Sequence, residues 1–193
     1  KFGVVFDVFT TEIVLIEGQQ VGFGASGRNS GFAIDLPHDI GAHDYIGDPA
    51  TARMNLKLNH FAQSMIRTLV EQYGIDCQIR ADGKYQTAVE EKGLAVLQAY
   101  RSGLDKLGQA YEMIEGRDLP EHLGTSFYRQ ALYTPGTLLL QPAALAMGLA
   151  NNLPANVSLY ENTVITHLEQ GDKITLRHAN GEYIAHELLL CNN

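Results

Sequence analysis

A mixed α/β fold is what this sequence predicts, and three observations predict it. A short β-branched run, Ile13-Val14-Leu15-Ile16, ends on a carboxylate, Glu17. A glycine-dense loop with one arginine then opens at Gly22 and reads Gly22-Phe23-Gly24-Ala25-Ser26-Gly27-Arg28-Asn29-Ser30-Gly31. Beyond it, helical and strand periodicities alternate with no internal repeat or low-complexity linker. The apolar run is too short for most helices and reads as a buried parallel strand. A carboxylate at the carboxyl end of such a strand can accept hydrogen bonds from both ribose hydroxyls of an adenosine, which is why nucleotide folds place an acid there. The loop adds unhindered backbone N–H groups, a hydroxyl and a guanidinium, a donor set suited to an anionic, planar ligand.

The remaining elements follow in order. Leu36 to Gly47 reads as irregular, and Asp48-Pro49 as a helix start with Asp as cap and Pro at the first helical position. Met54, Leu58, Phe61, Met65, Leu69 and Tyr73 recur every three or four residues, one apolar stripe on a long amphipathic helix that ends at Gly74. Cys77 to Ile79 and Lys84 to Val89 flank Asp82-Gly83, a hairpin signal. Glu90 to Leu107 is a second helix closed by Gly108, Met113 to Leu123 holds helical turns around Pro120, and Phe127 to Tyr133 is a strand. Pro142 opens a third helix through Asn151. Val157 to Leu159 and Val164 to Leu168 read as strands, and Ile174 to His178 with Tyr183 to Leu190 as a hairpin about Asn180-Gly181.

Composition narrows the function classes. The chain has 193 residues, 45% of them apolar, enough for a sizeable core in one domain or somewhat more. Its formal net charge of -8, with Lys and Arg scattered, disfavours nucleic acid or an anionic membrane as partner. No apolar stretch approaches the ~20 residues of a membrane span, and the first residues lack a signal-peptide pattern. Cys77 and Cys191 are too far apart in sequence to suggest a zinc or redox motif, so a reducing cytoplasm is the expected location. His38 and His43 lie in a loop without a third ligand, and no metal is expected. No Ser-His-Asp or Cys-His constellation stands out, and no catalytic residue is nominated.

GASGRNSG, after a strand ending in Glu, resembles the flavin-contacting segment of the FAD-dependent oxidoreductases related to D-amino-acid oxidase, glycine oxidase and sarcosine oxidase, with the bacterial γ-glutamylputrescine oxidases as the nearest branch. The segments DGKYQTAVEEKGLAVLQ, YTPGTLLLQPAALAMGLA, the strand around Asn162-Thr163-Val164-Ile165 and the closing Ala185 to Asn193 continue the likeness in order. The resemblance implies FAD as cofactor and a small amine or amino acid as substrate. It implies a partial Rossmann-like FAD-binding domain from residues 12–57 and 141–193, with part of a mixed-sheet substrate-binding domain from 58–140. It places Glu17 on the ribose and Gly24, Ala25, Ser26, Gly27, Arg28, Asn29, Ser30 and Gly31 along the pyrophosphate and inner flavin edge. Val164 would hold the adenine edge through its main chain, and Cys191 would touch the cofactor from a strand end. The reaction implied is hydride removal from the carbon bearing the amine, followed by hydrolysis of the imine.

The family begins with a strand, a Gly-x-Gly-x-x-Gly turn and a helix, whereas Lys1 to Thr11 contains only Gly3. The chain therefore reads as an interior piece of a larger enzyme, its partners including the missing N- and C-terminal parts of its own fold. Without the first strand the sheet is expected to expose an edge, and the chain alone to be marginal and association-prone. Plainer readings stand beside these. The plainer reading of Glu17 is a solvated strand end, that of the glycines turn formers, that of Val164 and Cys191 packing residues, and that of Tyr85 and Tyr133 sheet packing instead of cavity walls. A binding module of the same fold without FAD is one alternative. A nicotinamide-dependent dehydrogenase using Gly22-x-Gly24-x-x-Gly27 is another, although that triplet follows the acid instead of preceding it.

Overall fold

A computed structural model describes residues 11–39 and 42–191. The segment before Thr11, where the sequence lacks a glycine fingerprint, and the final Asn192-Asn193 lie outside the described residues. The element order is β1 (Ile13–Ile16), β2 (Phe32–Ala33), α1 (Pro49–Tyr73), β3 (Lys84–Ala88), α2 (Glu91–Leu107), β4 (Glu112–Glu115), α3 (Leu119–Leu123), β5 (Gln130–Thr134), β6 (Leu138–Leu139), α4 (Pro142–Ala150), β7 (Val157–Tyr160), β8 (His167–Gln170), β9 (Ile174–His178) and β10 (Gly181–Ala185). The α/β mixture expected from the sequence is the one observed. The chain forms two compact units. One comprises the chain through Ser30, Tyr73–Cys77 and the chain from Gln141 onward; the other is Gly31–Gln72 with Gln78–Leu140.

In the first unit β1 pairs in parallel with β7, Ile13 opposite Val157 and Ile16 opposite Tyr160. The strand is parallel as expected, but it is not buried: Val14 is 43% and Leu15 42% exposed. Successive strand residues point to opposite faces, so both faces of this two-stranded sheet are partly exposed. β8, β9 and β10 form a separate antiparallel meander. The hairpin turns at Ala179-Asn180, since Gly181 already pairs with His178. It stops at Ala185, five residues short of the expected Leu190.

The second unit has the better core. β5 lies between β3 and β4, antiparallel to both, and α2 packs on this sheet with Leu97, Tyr100 and Leu104 buried among Leu36, Ile46, Ala52, Ala88 and Leu132. Fully burying one such leucine stabilises by roughly 1.5–3 kcal/mol. Gly108, at φ 65°, terminates α2 in the left-handed conformation that a glycine adopts without strain. On the opposite face Ile114, Leu119 and Ala131 form a second cluster, against which Tyr85 and Tyr133 pack with ring centroids 4.8 Å apart. These tyrosines are cross-strand packing partners.

Three sequence expectations change here. Asp82-Gly83 does mark a turn, Gly83 having φ 71°, but Cys77 to Ile79 is not a strand and β3 pairs with β5, with α2, β4 and α3 lying between them in sequence. Met113 to Glu115 is strand, because β5 has a second edge to satisfy; the helical turn begins only at Leu119. Helix α1 starts as expected, with the Asp48 carboxylate accepting the Thr51 N–H at 2.8 Å. Its apolar stripe, however, faces outward: Met54, Leu58, Phe61 and Met65 are exposed and only Ala52 is buried. The inward side is mixed: Ala52 is buried and Leu56 packs against the core, with polar side chains beside them. The Asn59 amide donates to the Asp35 carbonyl at 3.0 Å, and the Gln63 amide to those of Ala33 at 2.7 Å and Gly136 at 3.1 Å.

Candidate functional site

The carboxyl end of β1 organises the first unit. The Glu17 N–H donates to the Tyr160 carbonyl at 2.9 Å, the last rung of the β1–β7 pairing, and the Glu17 carbonyl accepts the Thr163 N–H at 3.0 Å. The Asn162 N–H donates to the Gln19 carbonyl at 2.6 Å. The Glu161 carboxylate takes the Val21 N–H at 2.6 Å. The segment leaving β7 thus hooks across the end of β1. Asn162 can make this bend because it sits at φ 53°, a conformation asparagine tolerates better than most residues. The Glu17 side chain is half-buried; one of its oxygens, Oε1, accepts the Gln19 N–H at 2.8 Å. Among the described residues no cation stands within ion-pair distance of it.

The loop that follows is a tight coil of turns. The Phe23 N–H donates to the Gln20 carbonyl at 3.0 Å, Gly27 to Gly24 at 3.1 Å and Arg28 to Ala25 at 3.3 Å. Gly22, at φ 77°, begins the loop. A Cβ at Gly27 would collide with the Gly22 backbone, so the loop closes this tightly only with glycine there. The Asn29 amide donates to the carbonyls of Ala25 and Ser26, both at 3.0 Å, and so spends its N–H groups on the loop itself. The Arg28 guanidinium lies over the Phe23 ring, 3.7 Å from its centroid. Gly24, Ala25, Ser26 and Ser30 are exposed. Gly31 is buried at φ 76° and opens the second unit.

Of the remaining residues expected at the site, Val164 adjoins it, and Cys191 follows β10. Val164 is 59% exposed and adjoins Gly18. It is not in a strand: residues 162–166 are irregular and β8 begins at His167. The main chain here is committed to holding the end of β1, and that commitment displaces sheet pairing. Cys191 is an exposed free thiol beyond the end of β10, not the end of an apolar strand. Sequence reasoning missed Glu161 and Thr163, whose signal was local: an acid, an asparagine and a threonine directly after a strand.

A buried polar cluster in the second unit was also missed. Asp35 is 5% exposed and accepts the Thr137 hydroxyl at 3.1 Å; His60 Nε2 stands 3.9 Å from its other oxygen. Burial pushes the Lys84 ammonium down, against the pull of Asp35, and pushes the Tyr100 phenol up. The Lys84 ammonium lies 5.7 Å from the centroid of the Tyr100 ring. Sequence gave no signal because these residues lie far apart along the chain.

A family model for FAD-dependent oxidoreductases, DAO, matches residues 10–193. The chain belongs to the DAO family. FAD is the cofactor of that family. Among curated relatives, γ-glutamylputrescine oxidoreductase of Escherichia coli is 26% identical over 185 residues, which are 94% of this chain and 43% of the relative. The probable oxidoreductase OrdL of Haemophilus influenzae is 26% identical over 190 residues, with the same coverage of 94% and 43%. In fold, the crystal structure of glycine oxidase from Geobacillus kaustophilus superposes with a TM-score of 0.76 at 20% identity, over 90% of this chain and 46% of that one. L-amino acid deaminase from Proteus myxofaciens gives 0.63 at 18%, over 91% and 38%. The DAO chain described here thus spans less than half the length of these relatives. No helix among its described residues is long and apolar enough to cross a membrane.

Proposed function

We propose that the DAO chain forms the adenosine- and pyrophosphate-holding part of an FAD-dependent oxidoreductase that oxidises the C–N bond of an amine or amino acid. The observation that carries this is Glu17 at the carboxyl end of a parallel strand, fixed by Thr163 through its carbonyl and followed directly by the glycine loop. A carboxylate so placed accepts hydrogen bonds from ribose hydroxyls. The neighbouring Val164 main chain borders the place where an adenine edge would lie. In the loop, Gly24, Ala25, Ser26 and Ser30 offer backbone N–H groups and hydroxyls, and Arg28 a cation, to the pyrophosphate and the flavin edge, while Gly27 lets the loop close beside them. Asn29 supports the loop, and Gly31 sets its exit. Cys191 is a further candidate contact to the cofactor.

FAD, when bound, supplies the hydride acceptor for the C–H beside the amine, and water hydrolyses the resulting imine. The protein's task is to hold substrate and cofactor in reactive distance. On this reading residues 12–57 and 141–193 make the cofactor-holding part and 58–140 the substrate-facing part, although Gly31–Gln72 groups with the second compact unit. γ-Glutamylputrescine oxidoreductase, glycine oxidase and L-amino acid deaminase bear names that all point to small amine-bearing substrates, and a cytoplasmic location suits such metabolites. Titrating the purified chain with FAD and, separately, with NADH tests the cofactor assignment. Saturable quenching of flavin fluorescence with no response to NADH is expected. A colourless protein that leaves flavin fluorescence unchanged would instead support a binding module without FAD.

A further inference from the structure

The sheet face that carries α2 changes character toward one end. Alternation puts Lys84, Gln86 and Ala88 on one side of β3, and the register sets Thr134 opposite Lys84 and Leu132 opposite Gln86. Ala88 and Leu132 pack with Tyr100 in the core under α2, so Lys84, Gln86 and Thr134 face α2 as well. Here the core holds polar atoms without partners. Among the described residues the Tyr100 hydroxyl, the Thr134 hydroxyl and Gln86 Oε1 are buried and make no hydrogen bond. Tyr100 and Thr134 are 0% exposed. Leaving such atoms unpaired is costly, and their gathering on one face asks for a reason that apolar packing does not give.

Lys84 brings a nucleophile to the same place. Its side chain is half-buried, and among the described residues its ammonium has neither a hydrogen-bond nor an ion-pair partner. It stands 5.7 Å from the centroid of the Tyr100 ring. Burial favours the uncharged amine and outweighs the pull of Asp35 toward the charged one. A desolvated amine condenses with carbonyl compounds, and hydroxyls beside it can pass a proton to the departing oxygen. The charge of the buried Asp35 reaches both Lys84 and Tyr100 and disfavours a carboxylate there, so the fitting carbonyl compound is neutral. We propose that Lys84 is a covalent capture site for a small neutral aldehyde, held as an imine beside the Tyr100 and Thr134 hydroxyls. The C=N bond forms between the aldehyde carbon and Nζ, the carbonyl oxygen leaves as water with two protons from the amine, and nothing is oxidised or reduced. Once protonated, the imine carries the positive charge that Asp35 and the Tyr100 ring favour. All these residues lie in the second unit, so the capture site does not rest on the cofactor reading.

The test treats the 193-residue chain at neutral pH with dilute propanal and cyanoborohydride, which reduces an imine to a stable alkylamine, and locates the adducts by peptide mass spectrometry. Lys84 is expected to be alkylated several times faster than Lys57, Lys92, Lys106 and Lys173, and denaturant should abolish the preference. Tyr100→Phe keeps the ring and removes the hydroxyl. Combined with Thr134→Val, it should slow alkylation at Lys84 relative to Lys106 in the same sample, with the circular dichroism of the chain unchanged. Should that variant unfold, the comparison of native and denatured wild-type chain decides alone. Lys84 reacting no faster than the other lysines, a preference that persists in denaturant, or a Lys84 rate indifferent to loss of both hydroxyls in a folded variant would each overturn the proposal. No flavin is needed in the assay, so its outcome is independent of the FAD titration.

Discussion

The two units differ in what holds them. In the second, a helix seated on a three-stranded sheet buries Tyr100, Leu104 and Leu132 completely. In the first, the central parallel pair exposes Val14 and Leu15 on opposite faces, and backbone hydrogen bonds at the end of β1 do the ordering. Among the described residues most of the apolar burial lies in the second unit, while the first, with Ile75, Cys77 and Leu176 buried, adds a hook of main-chain contacts around the candidate site. The contrast teaches that in this chain the best-packed region and the region with the ligand-like geometry are different places. Parallel strands are normally covered on both faces; here the strand end keeps its geometry through Asn162, Thr163 and Glu161.

Four substitutions can break or sharpen that contrast. Leu104→Ala should have the largest effect: removing a fully buried side chain from the second unit costs about 2–5 kcal/mol, seen as a lower denaturation midpoint. An unchanged midpoint would show that this core does not hold the unit together. Gly27→Ala acts in the first unit, where the new methyl meets the Gly22 backbone. Backbone strain of about 1–3 kcal/mol is expected there, read as weaker FAD binding with the second unit's denaturation midpoint preserved. Glu17→Ala should weaken FAD by roughly 1–3 kcal/mol, the scale for losing a charged acceptor, without altering stability; unchanged affinity would remove Glu17 from the site.

The smallest effect is expected at Asp44. Its carboxyl is held down at about 2, chiefly by the Gly47 N–H and by Lys106, whose ammonium is 3.0 Å away. A pKa depressed in the folded state gives stability that is present above the ordinary value of 3.8 and is lost as pH falls toward 2. Because solvent screens this pair, about 1 kcal/mol or less is at stake. Asp44→Asn should flatten that acid limb in thermal melts between pH 4 and 2; an identical acid limb in the variant would assign the loss to other carboxylates.

Much of the local structure was legible in the sequence. Asp48-Pro49 capped α1 as its chemistry requires, Gly108 closed α2, and the run from Ile13 to Ile16 followed by Glu17 marked the strand end. These are readings of propensity, capping and period, which act over a few residues. Pairing was not legible. The local Asp-Gly signal suggested a hairpin with Cys77 to Ile79, whereas β3 found β5 about forty residues later, and Met113 became strand because β5 offered it a partner.

By itself, then, the sequence determined where α1 starts and α2 ends, that a carboxylate ends β1, and that a glycine loop follows it, because each is set by neighbours along the chain. Only the tertiary structure decided which face of α1 is covered, which strands pair, that Val164 lies in a hook and not in a sheet, and that Asp35 meets Thr137. Periodicity shows that α1 has an apolar side, but the inward side is chosen by what the rest of the chain presents. Here that is the carbonyl row of Ala33, Asp35 and Gly136, whose unmet hydrogen-bonding capacity draws the amides of Asn59 and Gln63 inward and leaves the apolar stripe facing out.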